Sequence, residues 1–413
     1  MSAEPSIWED ITALQRLNDV GKHAQFPHYD KGKFTKTCIG VIARVHHDCR
    51  HYTVLLDGDG KTHTKMKEID VRCNDVELID DENFTDNESG QLTPHKGVYP
   101  IFESGSYIIR DELGEGVSSR VFLCQDEQAR EVAIKVVSTD CQSMGLEEVK
   151  VGEFMCNKMG VDDEYYICRY KSDFMFGRHV CIVYEKLENN LHTLYKRLSK
   201  DHKRLSLIDI KKLAKQLFIA CDFLARECDI IHADIKPENI LYTGHTGHHT
   251  DQEAFDKIGL ADFGLSGLAG AFQRGAIIQT PWYRAPEVLM HLDITTQVDV
   301  WSIACVLFEV FTTVPLFPVY LKDKSESVTE LLLDKIASII GPKGKPFDKE
   351  QREKALRARI EECFGQTDPV DDDFINLLSD MLTYSAEERI TPLQGLHHVF
   401  VSGRKKRKRA SRL

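Results

Sequence analysis

Apolar and polar positions follow three different rhythms along this chain. Between Ser6 and Asp19 the residues Trp8, Ile11, Leu14 and Leu17 recur every three positions. That spacing lines one face of a helix, so residues 1–30 are predicted as a helical segment. From Lys33 to Ile79 the rhythm shortens to two. "CIGVIARVHHD", "HYTVLLDGDGKT" and "DVELI" alternate apolar with polar residues, and "DGDG" marks a turn. Several short strands so close together predict a small β-barrel over residues 31–80. The acidic run "DDENFTDNESGQLTP", Asp80 to Pro94, reads as a linker over residues 81–98. The third rhythm, over residues 99–401, opens strand-rich and turns helical. "LSLIDIKKLAKQLFIACDFLAREC", Leu205 to Cys228, has a helical apolar face with Ser206 placed as its N-cap. No internal repeat is present, and the one low-complexity stretch is the basic tail, residues 402–413.

Composition narrows the class. A chain of 413 residues, 42% hydrophobic and 29% charged, has room for two or three soluble domains with a sizeable core. Its 12 Cys include no C-x-x-C pair, and Glu4, Glu9 and Asp10 speak against a secretory signal, so reduced intracellular thiols are expected. No apolar run approaches the roughly 18 residues that span a bilayer, so no membrane partner is expected. The net charge of −12 hides an asymmetry, because Arg404 to Arg412 holds seven Lys or Arg and no acid. The body of the chain is therefore more acidic than its total, against general nucleic-acid binding. "RKKRKR", Arg404 to Arg409, reads as a nuclear localisation signal, and residence in nucleus and cytoplasm is expected.

Candidate chemistry gathers in the third stretch. In "LGEGVSSRVFL", Gly114 and Gly116 let a turn between two strands bring backbone N–H groups close to phosphates. Alone, that pattern also describes a plain hairpin. "VAIK", Val132 to Lys135, then ends an alternating strand on a Lys able to hold phosphate oxygens. "IIHADIKPENIL", Ile230 to Leu241, sets a His, two acids, a Lys and an Asn between apolar pairs, and "LADFGLS" follows with Asp262. Phosphoryl transfer needs strict positioning more than covalent chemistry. It asks for a carboxylate near the attacking hydroxyl, a cation near the moving phosphoryl group, and an amide oxygen with a carboxylate on Mg²⁺. Asp234, Lys236, Asn239 and Asp262 supply these in turn.

These motifs resemble the eukaryotic protein kinases over about Tyr107 to Phe400. The resemblance implies an α+β fold of two lobes, with a β-rich N-lobe (99–187) and a helical C-lobe (188–401). Ahead of it, the small barrel would be of SH3 or Tudor type. ATP and Mg are implied, with Leu113, Gly114, Glu115, Gly116, Val121, Ala133, Lys135 and Leu241 around the nucleotide. Ser119 replaces the third Gly of the loop. "HVCIVYEKLENNL" is similar to the strand and hinge that hold adenine, with Tyr184 behind the pocket and Glu185 and Leu187 meeting the base. Glu148 is implied as the partner of Lys135, with Glu153 as runner-up. Asp234, Lys236 and Asn239 form the catalytic loop, Asn239 and Asp262 the metal ligands. His232 and Phe263 are structural, and Asp299 in "DVWS" is a buried acid beneath the loop. "TPWYRAPE" supplies Thr280, Arg284 and Glu287, the last paired with Arg389.

"WYRAPE" is similar to the CMGC group, and within it the chain looks most like SR-protein kinases and related splicing-factor kinases. The segment from Lys322 to about Asp372 would be the CMGC insert. The resemblance implies Ser/Thr phosphorylation of protein substrates, with Arg/Ser-rich splicing factors as candidates. Many kinases carry an Arg at the position of Ala233 that docks an activation-loop phosphate. The segment from Leu265 to Gln279 has Ser266 as its only hydroxyl, immediately after D-F-G. Phosphate and receptor are absent together, so activity is expected without activation-loop phosphorylation. Apolar packing by Leu268, Phe272, Ile277 and Ile278 is expected to order the segment instead. Two rival readings are a pseudokinase scaffold and a small-molecule kinase. The intact Lys135, Asp234, Asn239 and Asp262 oppose the first, and the A-P-E segment with its insert opposes the second. The barrel would bind a peptide, a modified Lys or Arg, or its own kinase lobe. "HHDCRH" and "GHTGHH" lack the paired spacing of structural zinc sites.

Overall fold

The computed structural model describes residues 23–30, 33–45, 51–56, 67–72, 77–79, 84–86, 92–94, 101–102, 107–126, 128–160, 164–176, 178–200, 203–244, 255–321, 327–364 and 370–403. The helix expected at Ser6–Asp19, the basic run at 404–409, and most of both His-rich stretches lie outside them. The chain divides into two compact units, one of residues 1–146 with 170–186, the other of residues 147–169 with 187–413.

Among the described residues the first unit holds two larger sheets and a two-stranded pair. Strands β1 (His23–Asp30), β2 (Lys33–Val45), β3 (His51–Leu56), β4 (Lys67–Arg72) and β5 (Glu77–Ile79) form an antiparallel sheet in the order β4-β3-β2-β1-β5. The sequence reading placed residues 23–30 in a helical segment, and β1 corrects it. Pro27 obscured the strand, since proline lacks the N–H a ladder needs. The register resolves this: β5 pairs only with His23–Gln25, so Pro27 lies on a stretch of β1 bonded on one side. The expected linker also carries pairing, because β6 (Phe84–Asp86) pairs with β7 (Leu92–Pro94). Phe84, Thr85 and Thr93 favour extended backbone despite the acidic surroundings.

The second sheet of this unit comprises β8 (Ile101–Phe102), β9 (Tyr107–Glu115), β10 (Ser119–Gln125), β11 (Glu131–Val137), β12 (Tyr170–Phe176) and β13 (His179–Glu185), ordered β12-β13-β11-β10-β9-β8. Alternation decides its two faces. Val132, Ile134 and Val136 are buried with Ile109, Phe122, Cys124, Phe174, Cys181 and Val183. Ala133 and Lys135 therefore face the other way. The register puts Val121 opposite both Gly114 and Lys135, and Ala133 opposite Tyr184. Val121, Ala133 and Lys135 thus share one face of this sheet. Helix Gln142–Lys158 carries the chain from the first unit into the second.

The second unit is helical around Gln297–Thr312, which is buried from Val298 to Thr312. Helix Leu207–Phe223 packs beside it, with Ser206 at its N-cap as expected: Ser206 accepts from the Asp209 backbone N–H at 3.1 Å, and the Asp209 carboxylate in return accepts from the Ser206 backbone N–H at 2.9 Å. Its last turn widens into a π-turn at Leu224–Cys228, and Asp229 follows in left-handed backbone at φ 55°. Short strands complete the scaffold. β14 (Asn189–Asn190), β16 (Ile240–Thr243) and β17 (Lys257–Leu260) form one sheet, while β15 (Ile230–Ile231) pairs with β18 (Gly267–Leu268). No disulfide links the described cysteines. Among the described residues no helix is long and apolar enough to cross a membrane.

Candidate active site

The charged loop is pinned by its apolar flanks. Ile230, Ile231, Ile235 and Ile240 are buried, so the polar residues between them have fixed anchors. Asp299, on helix Gln297–Thr312, holds the loop from below. Its Oδ2 accepts from the His232 backbone N–H at 2.8 Å and its Oδ1 from that of Ala233 at 3.1 Å. Burial pushes the Asp299 carboxyl up to about 7, against the pull of those two N–H groups. Ala233 adopts left-handed backbone at φ 65°, and its carbonyl accepts from the Gln279 N–H at 2.9 Å.

Four groups converge on Asp234. Oδ2 accepts from Lys236 Nζ at 2.6 Å and Asn239 Nδ2 at 3.0 Å. Oδ1 accepts from the Thr280 hydroxyl at 2.7 Å and the Thr280 backbone N–H at 3.2 Å. Lys236 also reaches Thr280 Oγ1 at 3.2 Å. The carboxylate is thereby oriented, with a hydroxyl already seated on one oxygen. Asn239 spends its amide nitrogen on Asp234, which leaves its oxygen as donor toward a cation. The Ala261 N–H donates to the Asn239 carbonyl at 2.8 Å, which fastens Asp262 beside Asn239. His232 bonds the Ala261 carbonyl through Nε2 at 3.1 Å, accepts from the Asp234 N–H on Nδ1 at 3.2 Å, and packs on Phe263 at 4.8 Å between ring centroids. Burial lowers the pKa of His232, which suits a neutral ring with Nε2 as donor and Nδ1 as acceptor.

Among the described residues no group of three His, Cys, Asp or Glu side chains is placed to hold a metal ion. One amide oxygen and one carboxylate nevertheless fit Mg²⁺, which keeps waters and binds through one or two protein oxygens plus phosphates. Glu287 and Arg389 form a bidentate ion pair at 2.7 and 3.0 Å, with side chains 3% and 0% exposed. On the first unit's sheet face, Lys135 is buried, and the Gly116 N–H closes the turn onto the Ser119 carbonyl at 2.8 Å. Leu113, Gly114 and Glu115 are exposed, and Ser119, in place of a Gly, points inward. Of the three glutamates on helix Gln142–Lys158, Glu148 is buried while Glu147 and Glu153 are exposed. Glu185 ends β13 half-buried, Leu187 is buried, and Leu241 stands opposite Gly259 in β16.

The activation segment departs from the expected apolar packing. Leu268 is 54% and Ile277 79% exposed, whereas Ile278 is buried and Phe272 half-buried over Gly267. Ile278 sits in the core with Phe272, Ala269 and Ala276 packed against it, and polar contacts add to that order. β18 pairs with β15, the Ala269 N–H donates to the Asp229 carbonyl at 2.8 Å, and Arg274 forms a two-pronged pair with Asp293. Ser266 turns its hydroxyl onto the Phe263 carbonyl at 2.7 Å. Sequence reasoning missed Gln279 and Glu309. Glu309 accepts at 2.6 Å from both Tyr195 and Tyr283, and burial raises its pKa. Its signal was a lone acid inside the apolar run "SIACVLFEVF".

The family model described as protein kinase domain matches residues 107–401. The chain belongs to the protein kinase family. Its relatives include the DYRK-family kinase pom1 of Schizosaccharomyces pombe, 29% identical over 83% of this kinase and 31% of that protein. The dual specificity protein kinase YAK1 of Saccharomyces cerevisiae is 32% identical over 54% of this chain and 26% of its own. The serine/threonine-protein kinase prp4 of S. pombe is 26% identical over 71% and 66%. These names fit the CMGC group. The chain spans less than half the length of the first two of these curated relatives. A crystal structure of a kinase domain matches 76% of this chain and all of that one, with a TM-score of 0.60 at 23% identity. The two-unit fold is the bilobal kinase fold, β-rich then helical, and the family implies ATP and Mg²⁺.

Proposed function

We propose that this chain is an active Ser/Thr protein kinase that transfers the γ-phosphoryl group of ATP, with Mg²⁺, to hydroxyls of protein substrates. The observation that carries this reading is the Asp234 carboxylate, braced on Oδ2 by Lys236 and Asn239 with a hydroxyl on Oδ1. A substrate hydroxyl taking the Oδ1 position would be oriented and would give its proton to Asp234 as its oxygen bonds phosphorus and the bond to the ADP oxygen breaks. Lys236 would stabilise charge on the moving group. Held by Asn239 and Asp262, Mg²⁺ would neutralise charge on the phosphate oxygens. Lys135, with Glu148 as its partner, would hold the other phosphates.

The test is transfer from radiolabelled ATP. Asp234→Asn should retain nucleotide binding and lose turnover by orders of magnitude; retained turnover refutes the assignment. Protein made in bacteria and treated with phosphatase should be fully active. Its activation segment is braced by its own residues, and Ala233 offers no phosphate receptor. A large loss on dephosphorylation, restored by an added kinase, refutes that part. Ser-containing basic segments, including Arg/Ser-rich splicing factors, are the substrates this reading favours. The sheet order β4-β3-β2-β1-β5 supports a small SH3- or Tudor-like barrel ahead of the kinase domain, with a ligand yet to be named.

A further inference from the structure

Glu238 and His192 have no part in the chemistry described so far, yet they meet at the edge of the catalytic loop. Glu238 stands between Pro237 and Asn239, next to the amide that braces Asp234. Its Oε1 lies 3.0 Å from Nδ1 of His192, on helix Leu191–Lys200. His192 is the one cationic partner of Glu238 among the described residues. The other oxygen, Oε2, is buried and has no hydrogen-bond partner among them. A buried acceptor without a donor costs stability, and an arriving donor would relieve that cost. The Glu238 and His192 side chains are 42% and 28% exposed, so the pair borders solvent and is only partly screened by it.

The hydrogen bonds fix where the imidazole carries a proton. Tyr195 gives its hydroxyl proton to Glu309 Oε1 at 2.6 Å, so toward His192 Nδ1, 3.2 Å away, its oxygen can only accept. The Glu238 carboxylate also only accepts. Both contacts therefore require Nδ1–H, in the neutral ring and in the cation alike. What titration changes is the charge. With His192 protonated, the pair shows no net charge; with His192 neutral, it shows the full negative charge of Glu238. The titratable and charged groups that face the pair are Tyr195 on the same helix, Glu309 from helix Gln297–Thr312 with Lys196 near it, and Tyr283, which donates to Glu309 Oε2 at 2.6 Å. Strands β14 and β16, which flank the helix, add only Tyr242.

We infer that His192 is a specificity-determining residue that, by holding or losing a proton, sets the charge Glu238 shows to a Lys or Arg flanking the acceptor hydroxyl of the substrate. Imidazole is the side chain whose charge ordinarily changes between about pH 5 and 8, where Lys and Arg stay cationic. As pH falls through the titration of the ring, the cation cancels Glu238 and a basic substrate binds more weakly. As pH rises, Glu238 is left uncancelled and its unpartnered oxygen can take the donors of an Arg fork. This deepens the kinase reading above and rests on it for identifying the basic ligand as a substrate.

The test is calorimetric binding to the full chain of two peptides with Ala at the acceptor position, one flanked by Arg and one with Gln in place of each Arg. Between about pH 6 and pH 8 the Kd of the Arg peptide should tighten by about three-fold, the scale of a partly exposed ion pair, while that of the Gln peptide stays level. Binding of the Arg peptide within that range should release protons, read by comparing buffers of different ionisation enthalpy. His192→Gln should bind the Arg peptide tightly at both ends of the range, without the step and without proton release. His192→Lys, a fixed cation, should bind it weakly at both, and Glu238→Gln should do the same. A pH-independent Kd in the wild type overturns the inference, as does the same step in His192→Gln or in the Gln peptide. So does an Arg peptide that binds no tighter than the Gln peptide at the upper end. If the step and the variants behave as stated while a Ser-containing form of the Arg peptide takes up no phosphate from ATP, the control by His192 stands and the kinase reading falls instead.

Discussion

Arg389→Ala should be the most damaging single substitution far from the chemistry. The guanidinium donates to both Glu287 oxygens, at 2.7 and 3.0 Å, and to the carbonyls of Gln297 at 2.7 Å and Thr383 at 2.8 Å. It also lies 5.3 Å from the Trp301 ring centre. Neither side chain of the pair reaches solvent to any useful degree, so truncation strands a carboxylate and two carbonyls inside the helical unit. Removing one partner of such a pair costs about 3–5 kcal/mol. At roughly 2–4 °C per kcal/mol for a domain near this size, the melting temperature should fall by about 6–20 °C. The assay is thermal melting of the full chain, with urea unfolding to separate slope from midpoint. A second variant tells charge from volume. Replacing both partners by apolar residues, Glu287→Met with Arg389→Met, removes the stranded charge and should recover most of the loss. If Arg389→Ala melts within about 1 °C of wild type, or the double variant is as unstable as the single, the buried-pair reasoning is wrong.

Three further outcomes are expected. Ile278→Ala should cost roughly 2–4 kcal/mol by emptying a buried site, whereas Ile277→Ala on the exposed neighbour should stay within about 0.5 kcal/mol, both read by urea unfolding. Burial holds the Glu309 carboxyl above its ordinary 4.5, so its protonated form favours folding; that contribution is full below 4.5 and is lost as pH rises through the raised value. Melting temperature against pH should accordingly be flatter above 4.5 in Glu309→Gln than in wild type, and parallel curves would refute the assignment. Deleting residues 404–413 should shift a fluorescent fusion from nucleus to cytoplasm, and unchanged nuclear enrichment would leave the basic run without that role.

What could be read from the sequence depended on whether a signal was local. Ser206 announces a helix start because a cap and the turn it closes are neighbours in sequence; the returning contact from Asp209 is added by the structure. The spacing of Asp234, Lys236 and Asn239 was legible for the same reason: one short loop places all three. Glu148 needed the family likeness, since nothing in "GLEEVKVGEFM" separates three glutamates on one helix. They differ in burial, Glu148 being buried and Glu147 and Glu153 exposed. Nothing in the spacing of Trp8, Ile11, Leu14 and Leu17 marks where a helix gives way to β1, and Pro27 in that strand lacks the N–H of a ladder; only the register shows that β5 stops short of it.

The activation segment shows the limit most sharply. Its apolar residues suggested a hydrophobic anchor, yet Leu268 and Ile277 point to solvent. A short loop has too few side chains to build a core of its own. It is cheaper in entropy to fasten its backbone to elements already rigid. The partners that do so lie far off in sequence: Asp229 for Ala269, Ala233 for Gln279, Asp293 for Arg274, Val298 and Ser302 for the Gln279 amide. None of these pairings has a spacing rule. Gln279 in particular looks like an unremarkable polar residue before "TPWYRAPE". Its importance appears only when its backbone is seen to be left-handed and every polar atom it owns is seen to be bonded. Ala233 carried the expectation that no phosphate docks on the catalytic loop, whereas the contacts that brace the segment are ones that only the fold brings together.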